Sequence, residues 1–268
     1  MSSLSVSLIQ SSLFWEDKKR NLAMLEEKIL AVPENTNLVI LPEMFSTGFS
    51  MKPSILAETM DGETIAWMKR IASSKKIILT GSIIIKDNEH YFNRLIWMLP
   101  NGTYGFYDKR HLFAFAGEDQ HYTSGNKRLI TSVNGWKINL QICYDLRFPV
   151  WARQQSNDES PEFDLLIYVA NWPERRNHAW KTLLTARAIE NQSYVIGVNR
   201  VGEDGNQINH SGDSMLIDPL GNIIFTHPYE EVVHSFELTK DTLNDTRNRF
   251  PFWKDADQFN ILQDDPHA

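Results

Sequence analysis

The chain has 268 residues, 42% of them hydrophobic and 23% charged, with a formal net charge of −7. That composition describes a folded globular protein, and the negative balance excludes a nucleic-acid binder that works by neutralising phosphates. No apolar run approaches the roughly 18 to 20 residues needed to span a bilayer, so no membrane partner is expected.

In chain order, Leu4 to Gln10 alternates apolar and polar residues as a strand does. DKKRNLAMLEEKILAV then places Leu22, Leu25, Ile29 and Leu30 near helical spacing, and NLVILPE is a short β run stopped by Pro42. A second helix is expected over Gly62 to Ser73, followed by strands in KKIILTGSIIIKD, YFNRLIWMLP and TYGFYDK. Asn101-Gly102 and Asn134-Gly135 are hairpin turns, because both residue types tolerate positive φ. They join the last two of those strands, and then RLITSV to WKINLQIC, so the middle of the chain reads as a β meander. Beyond it come a buried strand FDLLIYVAN, a helix HAWKTLLTARAIENQ, the strand SYVIGVNR, and three more in SMLIDP, NIIFTHP and VVHSFEL. Hairpins keep neighbouring strands antiparallel in this reading. Two sheets packed face to face with helices outside therefore fit better than a Rossmann sheet, and no glycine-rich phosphate loop is present. No linker-like stretch divides the chain, so residues 1–268 are expected to form one α/β domain.

Three apolar strands end in reactive side chains: NLVILPE in Glu43, YGFYDK in Lys109 and INLQIC in Cys143, the only cysteine. If the three ends converge, the chemistry is coherent. A carboxylate takes the thiol proton, and an ammonium stabilises both thiolate and oxyanion. Attack on an amide or nitrile carbon then gives a covalent intermediate that water hydrolyses, with no metal or other cofactor required. A lone cysteine is nonetheless usually a small buried hydrophobe, and Glu43 and Lys109 taken singly read as surface charges. One cysteine cannot form an internal disulfide, and the start MSSLSVSLIQ lacks the regions of a signal peptide, so a cytoplasmic setting is expected.

The blocks LPEMFSTGF, YDKRHLF, CYDLRFP, ANWP, TARAIENQSYV and SGDSMLIDPLGNII, in that order along the chain, resemble those of the carbon-nitrogen hydrolase (nitrilase) superfamily. Within it, the bacterial omega-amidase branch is the most similar. The resemblance implies a four-layer α-β-β-α sandwich acting on the terminal amide of a small substrate such as 2-oxoglutaramate or 2-oxosuccinamate. It also implies Cys143 as nucleophile, Glu43 as general base, Lys109 as stabiliser of the tetrahedral intermediate, and the Tyr144 N–H as part of the oxyanion site. A second family glutamate precedes a Gly-Asn pair; here that is Glu118, seven residues before Gly125-Asn126, with Asp119 as its competitor. A homodimer is implied as well, and the aromatic and charged tail within residues 249–268 is a candidate for crossing to the partner or for packing on its own domain.

Arg147 suits a bidentate grip on a substrate carboxylate, but a structural pairing with Asp145 or Glu190 is the preferred expectation. Asn171, Trp172 and Pro173 follow a strand end where a pocket wall is expected, and Phe45, Phe113 and Phe115 are further candidates for that wall. The eight histidines are scattered and show no H-E-x-x-H spacing, so no metal is expected, and a protease-like pairing of Cys143 with His111 or His178 has no local signature. The rivals are another activity of the superfamily (on deaminated glutathione, an N-carbamoyl compound or a nitrile), a catalytically silent scaffold, and a metal-dependent hydrolase.

Overall fold

The computed structural model describes residues 3–155 and 160–262. Two sheets lie face to face with helices on both outer surfaces. The chain opens with β1 (Ser3–Gln10), α1 (Lys18–Leu30) and β2 (Leu38–Ile40). It continues through α2 (Pro53–Leu56), α3 (Glu63–Lys75), β3 (Ile78–Asp87), β4 (His90–Met98) and β5 (Tyr104–Asp108). The second sheet begins with β6 (Leu129–Val133), β7 (Trp136–Ile142), the short α4 (Pro149–Ala152) and β8 (Leu165–Ala170). It is completed by α5 (Asn177–Asn191), β9 (Tyr194–Asn199), β10 (Val201–Glu203), β11 (Asn209–Ile217) and β12 (Ile223–Pro228). The chain then returns to the first sheet with β13 (Val232–Thr239) before α6 (Lys240–Arg249).

Strand order is β13-β1-β2-β3-β4-β5 in one sheet and β10-β11-β9-β8-β7-β6 in the other, with β12 pairing β11. Alternation along each strand sorts the core into layers. Leu4, Val6, Leu8, Leu38 and Ile40 face the opposite sheet and meet Trp136, Ile138 and Leu140. Ile9, Val39, Leu41 and Leu79 face outward, onto Leu22, Leu25 and Ile29 of α1 and Ile65, Met68 and Ile71 of α3. On the far side, Trp180, Leu184 and Ala188 of α5 and Leu243 of α6 cover the second sheet. The four-layer expectation holds.

The expected meander does not hold throughout. β3, β4 and β5 are antiparallel neighbours, but the next hairpin, β6–β7, belongs to the other sheet. Each sheet also has a parallel centre, β1–β2–β3 in one and β7–β8–β9 in the other. Helical crossovers require this, since a parallel neighbour cannot be reached by a tight turn.

α3 starts one residue after Gly62, where the Glu58 carboxylate accepts the Thr64 N–H at 2.8 Å and satisfies an otherwise unpaired first-turn donor. Residues 249–262 of the expected tail run along their own chain. Gln192 Nε2 donates to Phe250 O at 2.7 Å, and Gln155 Nε2 to Phe259 O at 3.2 Å. Residues 263–268 of that tail lie outside the described residues. Among the described residues no helix is long and apolar enough to cross a membrane.

Candidate active site

β2, β5 and β7 deliver their C-terminal ends to one place, and the residues just past those ends are the ones the sequence singled out. Lys109 and Glu43 are fully buried, as is Glu118 in a single 3-10 turn at Glu118–Gln120. Lys109 Nζ donates to Glu43 Oε1 at 2.9 Å and to Glu118 Oε1 and Oε2 at 3.0 and 2.9 Å. Asp119, the competitor, is exposed. Gly125 holds this arrangement from behind. Its N–H donates to Lys109 O at 2.9 Å, and a Cβ there would lie 2.1 Å from Asp108 O, so only glycine fits.

Further donors fix the two carboxylates. Asn93 Nδ2 reaches Glu43 Oε1 at 2.8 Å and Glu118 Oε1 at 3.3 Å. The Asn171 N–H donates to Glu43 Oε2 at 2.8 Å, and the Phe113 N–H to Glu118 Oε2 at 2.6 Å.

The electrostatics follow from burial and proximity. Burial alone would lower the pKa of Lys109, but the Glu118 and Glu43 carboxylates outweigh it and push the ammonium well above its usual range. Burial raises Glu118, with Lys109 opposing and the Glu43 charge adding to the rise. The Cys143 thiol is raised by burial and by the Glu43 charge, although Lys109 pulls the other way. A hydrogen bond from the thiol to Glu43 adds to that shift.

Cys143 begins the 3-10 turn Cys143–Arg147 at φ 42°, a left-handed conformation that costs a non-glycine residue about 1–3 kcal/mol. The bend turns the side chain out of the strand and onto the wall of a cavity of about 350 Å³, shared with Tyr144, Lys109 and Asn171. Phe113, Phe115, Trp172 and Pro173, expected at a pocket wall, also line it, and so does Arg147. Tyr144 packs edge-on to Phe113 and Phe148, with ring centroids 4.9 and 5.1 Å away.

Two expectations need correction. Phe45 is not part of the pocket wall; it is fully buried in the layer between the first sheet and α3, 5.9 Å from Trp67 and against Gly81. The turn at Met44, φ 42°, reverses its direction. Nor does Arg147 pair with Asp145 or Glu190. Glu190 is held by Arg187 at 3.0 Å, and Asp145 by Tyr107 and His111. The Arg147 guanidinium lies instead over the Trp172 ring, 4.9 Å from its centroid.

The sequence reading missed several pocket residues, chiefly Phe49, Arg175, Arg176, Asp204 and His210. Arg176 lies over the Phe113 ring at 5.0 Å, and its backbone carbonyl accepts the Trp172 indole N–H at 2.9 Å. Burial, and then the neighbouring Arg175 charge, lower its pKa. Arg175-Arg176 directly follow ANWPE, and a cation pair just past a strand end was the available signal. Asn93 carried a weaker signal, as a polar residue beside Arg94 in a largely apolar strand. His210 carried no such mark. It is almost wholly buried, with its pKa lowered to about 4 by burial and by the Arg200 charge.

The match to known proteins is as broad as the geometry is specific. The chain belongs to the carbon-nitrogen hydrolase family, whose model matches residues 5–248, and it is thereby a hydrolase of carbon–nitrogen bonds. It is 41% identical to the omega-amidase YafV of Escherichia coli K12, over 97% of this chain and all of that one. It is 28% identical to a 2-oxoglutaramate amidase of Bacillus subtilis, over 94% of this chain and 96% of the relative. Among solved structures, a carbon-nitrogen hydrolase superfamily protein of Xanthomonas campestris superposes with a TM-score of 0.95 at 43% identity, covering 98% of this chain and all of that one. Nit3 of Saccharomyces cerevisiae superposes at 0.82 with 25% identity, covering 93% and 95%.

Proposed function

We propose that the protein is an omega-amidase, which hydrolyses the terminal amide of a short 2-oxo acid such as 2-oxoglutaramate or 2-oxosuccinamate to the dicarboxylate and ammonia. The observation that carries this reading is the composition of the cavity. A thiol beside a buried Glu–Lys–Glu cluster shares one cavity with the guanidinium groups of Arg147 and Arg176, neither ion-paired among the described residues. An amide at one end and a carboxylate at the other match that pairing of reactive and cationic ends. The names of the Escherichia coli and Bacillus subtilis relatives point the same way.

In this reading Glu43 accepts the thiol proton as Cys143 Sγ attacks the amide carbon. The oxyanion that forms is stabilised by the Lys109 ammonium and the Tyr144 N–H. Protonated Glu43 returns its proton to the nitrogen, the carbon–nitrogen bond breaks, and ammonia leaves behind a thioester. Glu43 then deprotonates a water that attacks the thioester carbon, and the carbon–sulfur bond breaks to give the acid and the thiol. Glu118 keeps Lys109 in place through both halves.

The reading extends to a homodimer, supported by the exposed Phe252 in the tail and Val150 beside it. It also extends to a cytoplasmic setting, where an unpaired thiol stays reduced. Sedimentation equilibrium of the purified chain tests the first.

The decisive experiment is ammonia release from 2-oxoglutaramate and 2-oxosuccinamate, alongside glutamine, deaminated glutathione, an N-carbamoyl amino acid and a nitrile, for wild type and Cys143→Ala. Turnover of the two oxo-acid amides, abolished in the variant, is the expected result. Preference for another compound would replace the substrate assignment, and activity in Cys143→Ala would remove the nucleophile.

A further inference from the structure

Asp145 lies two residues past Cys143, is fully buried and does not line the cavity. Its carboxylate accepts four hydrogen bonds. Oδ2 takes the Ile142 N–H at 3.0 Å and the Tyr107 hydroxyl at 2.7 Å. Oδ1 takes the His111 backbone N–H at 3.0 Å and His111 Nδ1 at 2.8 Å. Ile142 immediately precedes Cys143, and Tyr107 and His111 bracket Lys109, two residues on either side. One side chain thus ties together two segments that arrive from different sheets.

The donors around it are themselves fixed. The Trp151 indole N–H and the Arg110 N–H donate to the Tyr107 hydroxyl at 2.9 and 3.2 Å, and the His111 ring stacks on Phe148 at 3.8 Å. The left-handed backbone at Cys143 has to be held from outside, because the chain alone would relax it. Asp145 holds it on the strand side through Ile142, while Arg187 Nη2 holds the far side through Leu146 O at 2.7 Å.

We propose that Asp145 is a positioning residue for the reaction: it sets the register between Cys143 and Lys109 across the two sheets, so that sulfur, ammonium and Tyr144 N–H converge on one carbonyl. It acts through these groups and contacts no substrate atom. The proposal rests on the roles assigned above to Cys143 and Lys109.

Asparagine preserves the shape but offers one acceptor oxygen, and it turns an NH₂ group toward groups that are already donors. In Asp145→Asn, kcat per folded site should fall about hundredfold, the loss expected from a displacement of about 1 Å, with KM within about threefold of wild type. Tyr107→Phe removes one donor and should lower kcat by about three- to tenfold, and the double variant should be no worse than Asp145→Asn alone because both act on one network. A residue that only supported the fold would lower the yield of folded protein and leave kcat per site unchanged. A kcat for Asp145→Asn within about threefold of wild type, or a strictly additive double variant, would overturn the proposal.

If Asp145→Asn does not fold, Tyr107→Phe and His111→Ala carry the test, and unchanged kcat in both overturns it. Amide hydrogen exchange over residues 142–147, faster in Asp145→Asn or in Tyr107→Phe than in wild type, provides a readout that needs no substrate, and unchanged exchange counts against the proposal. Cys143→Ala run in parallel separates the two levels. Its turnover would remove the nucleophile assignment, whereas a silent Cys143→Ala with a full-rate Asp145→Asn would remove only the positioning role.

Discussion

Two sets of charged side chains border Cys143, and they are held in opposite ways. Behind the sulfur, Glu43, Lys109 and Glu118 are fully buried, and each is locked by two or more hydrogen bonds with other protein groups. In the same cavity, Arg147 and Arg176 are half-buried and rest on the faces of Trp172 and Phe113, with no carboxylate partner among the described residues. The first set is complete without a ligand and so is preorganised for bond making. The second is complete only when an anion arrives, which suits recognition. Under the proposed function, burial with pairing marks the groups that make bonds, and partial burial without pairing marks the groups that bind.

The strongest way to break the buried set is Lys109→Met, which leaves two carboxylates together in the protein interior. Loss of one partner from such a group costs about 3–5 kcal/mol, so the thermal midpoint should drop and ammonia release should disappear together. Arg176→Ala should act differently. A rise in KM of roughly thirtyfold, about 2 kcal/mol, with kcat nearly unchanged would place this residue in binding alone, and a matching fall in kcat would dissolve the distinction.

A third test concerns His210, which lines the same cavity. Its folded-state pKa of about 4 lies below the ordinary value of 6.5, so the folded protein resists a proton that the unfolded chain accepts. The stability this confers is present above pH 6.5 and is lost as pH falls toward 4, by roughly 3 kcal/mol in all. Denaturant midpoints across that window should flatten in His210→Asn, and an identical slope would show that other groups control acid lability. The smallest effect is expected at Phe45→Leu, about 1 kcal/mol of stability with KM unmoved, because this ring packs under α3 and not in the cavity. A changed KM would return Phe45 to the pocket.

Glu43, Lys109 and Cys143 were legible because each stands at the end of an apolar strand and within a block that resembles the carbon-nitrogen hydrolase motifs, whereas any one of them alone reads as a surface charge or a buried thiol. Phe45 was misread for the converse reason. Whether it faces the pocket depends on the left-handed turn at Met44, and nothing in a non-glycine residue announces a positive φ. The parallel pairings of β1, β2 and β3 were invisible too, since hairpin signals such as Asn101-Gly102 report only neighbours in sequence. α6 has few apolar residues to give a helical period. Its anchor is Arg247, whose guanidinium bonds Asp164 Oδ1 at 2.9 Å and Gln192 O at 2.9 Å, partners more than fifty residues away. The arginines of the pocket were half legible. The fork of Arg147 suggested a carboxylate ligand, but its aromatic support from Trp172 is purely tertiary.

The pairing of β1 with β13 has a consequence for how the molecule comes into being. Ser3 stands opposite Thr239 and Gln10 opposite Val232, and the Gln10 amide also bonds His227 O, Glu230 O and the Ser214 N–H. During synthesis the first strand therefore keeps an open edge until residues 232–239 have been made. Contacts of such sequence separation form slowly compared with hairpins. The sheet that carries Glu43 and Lys109 thus takes its edge strand from a segment that follows, in chain order, every strand of the sheet that carries Cys143, which makes this pairing one of the longest-range contacts of the fold.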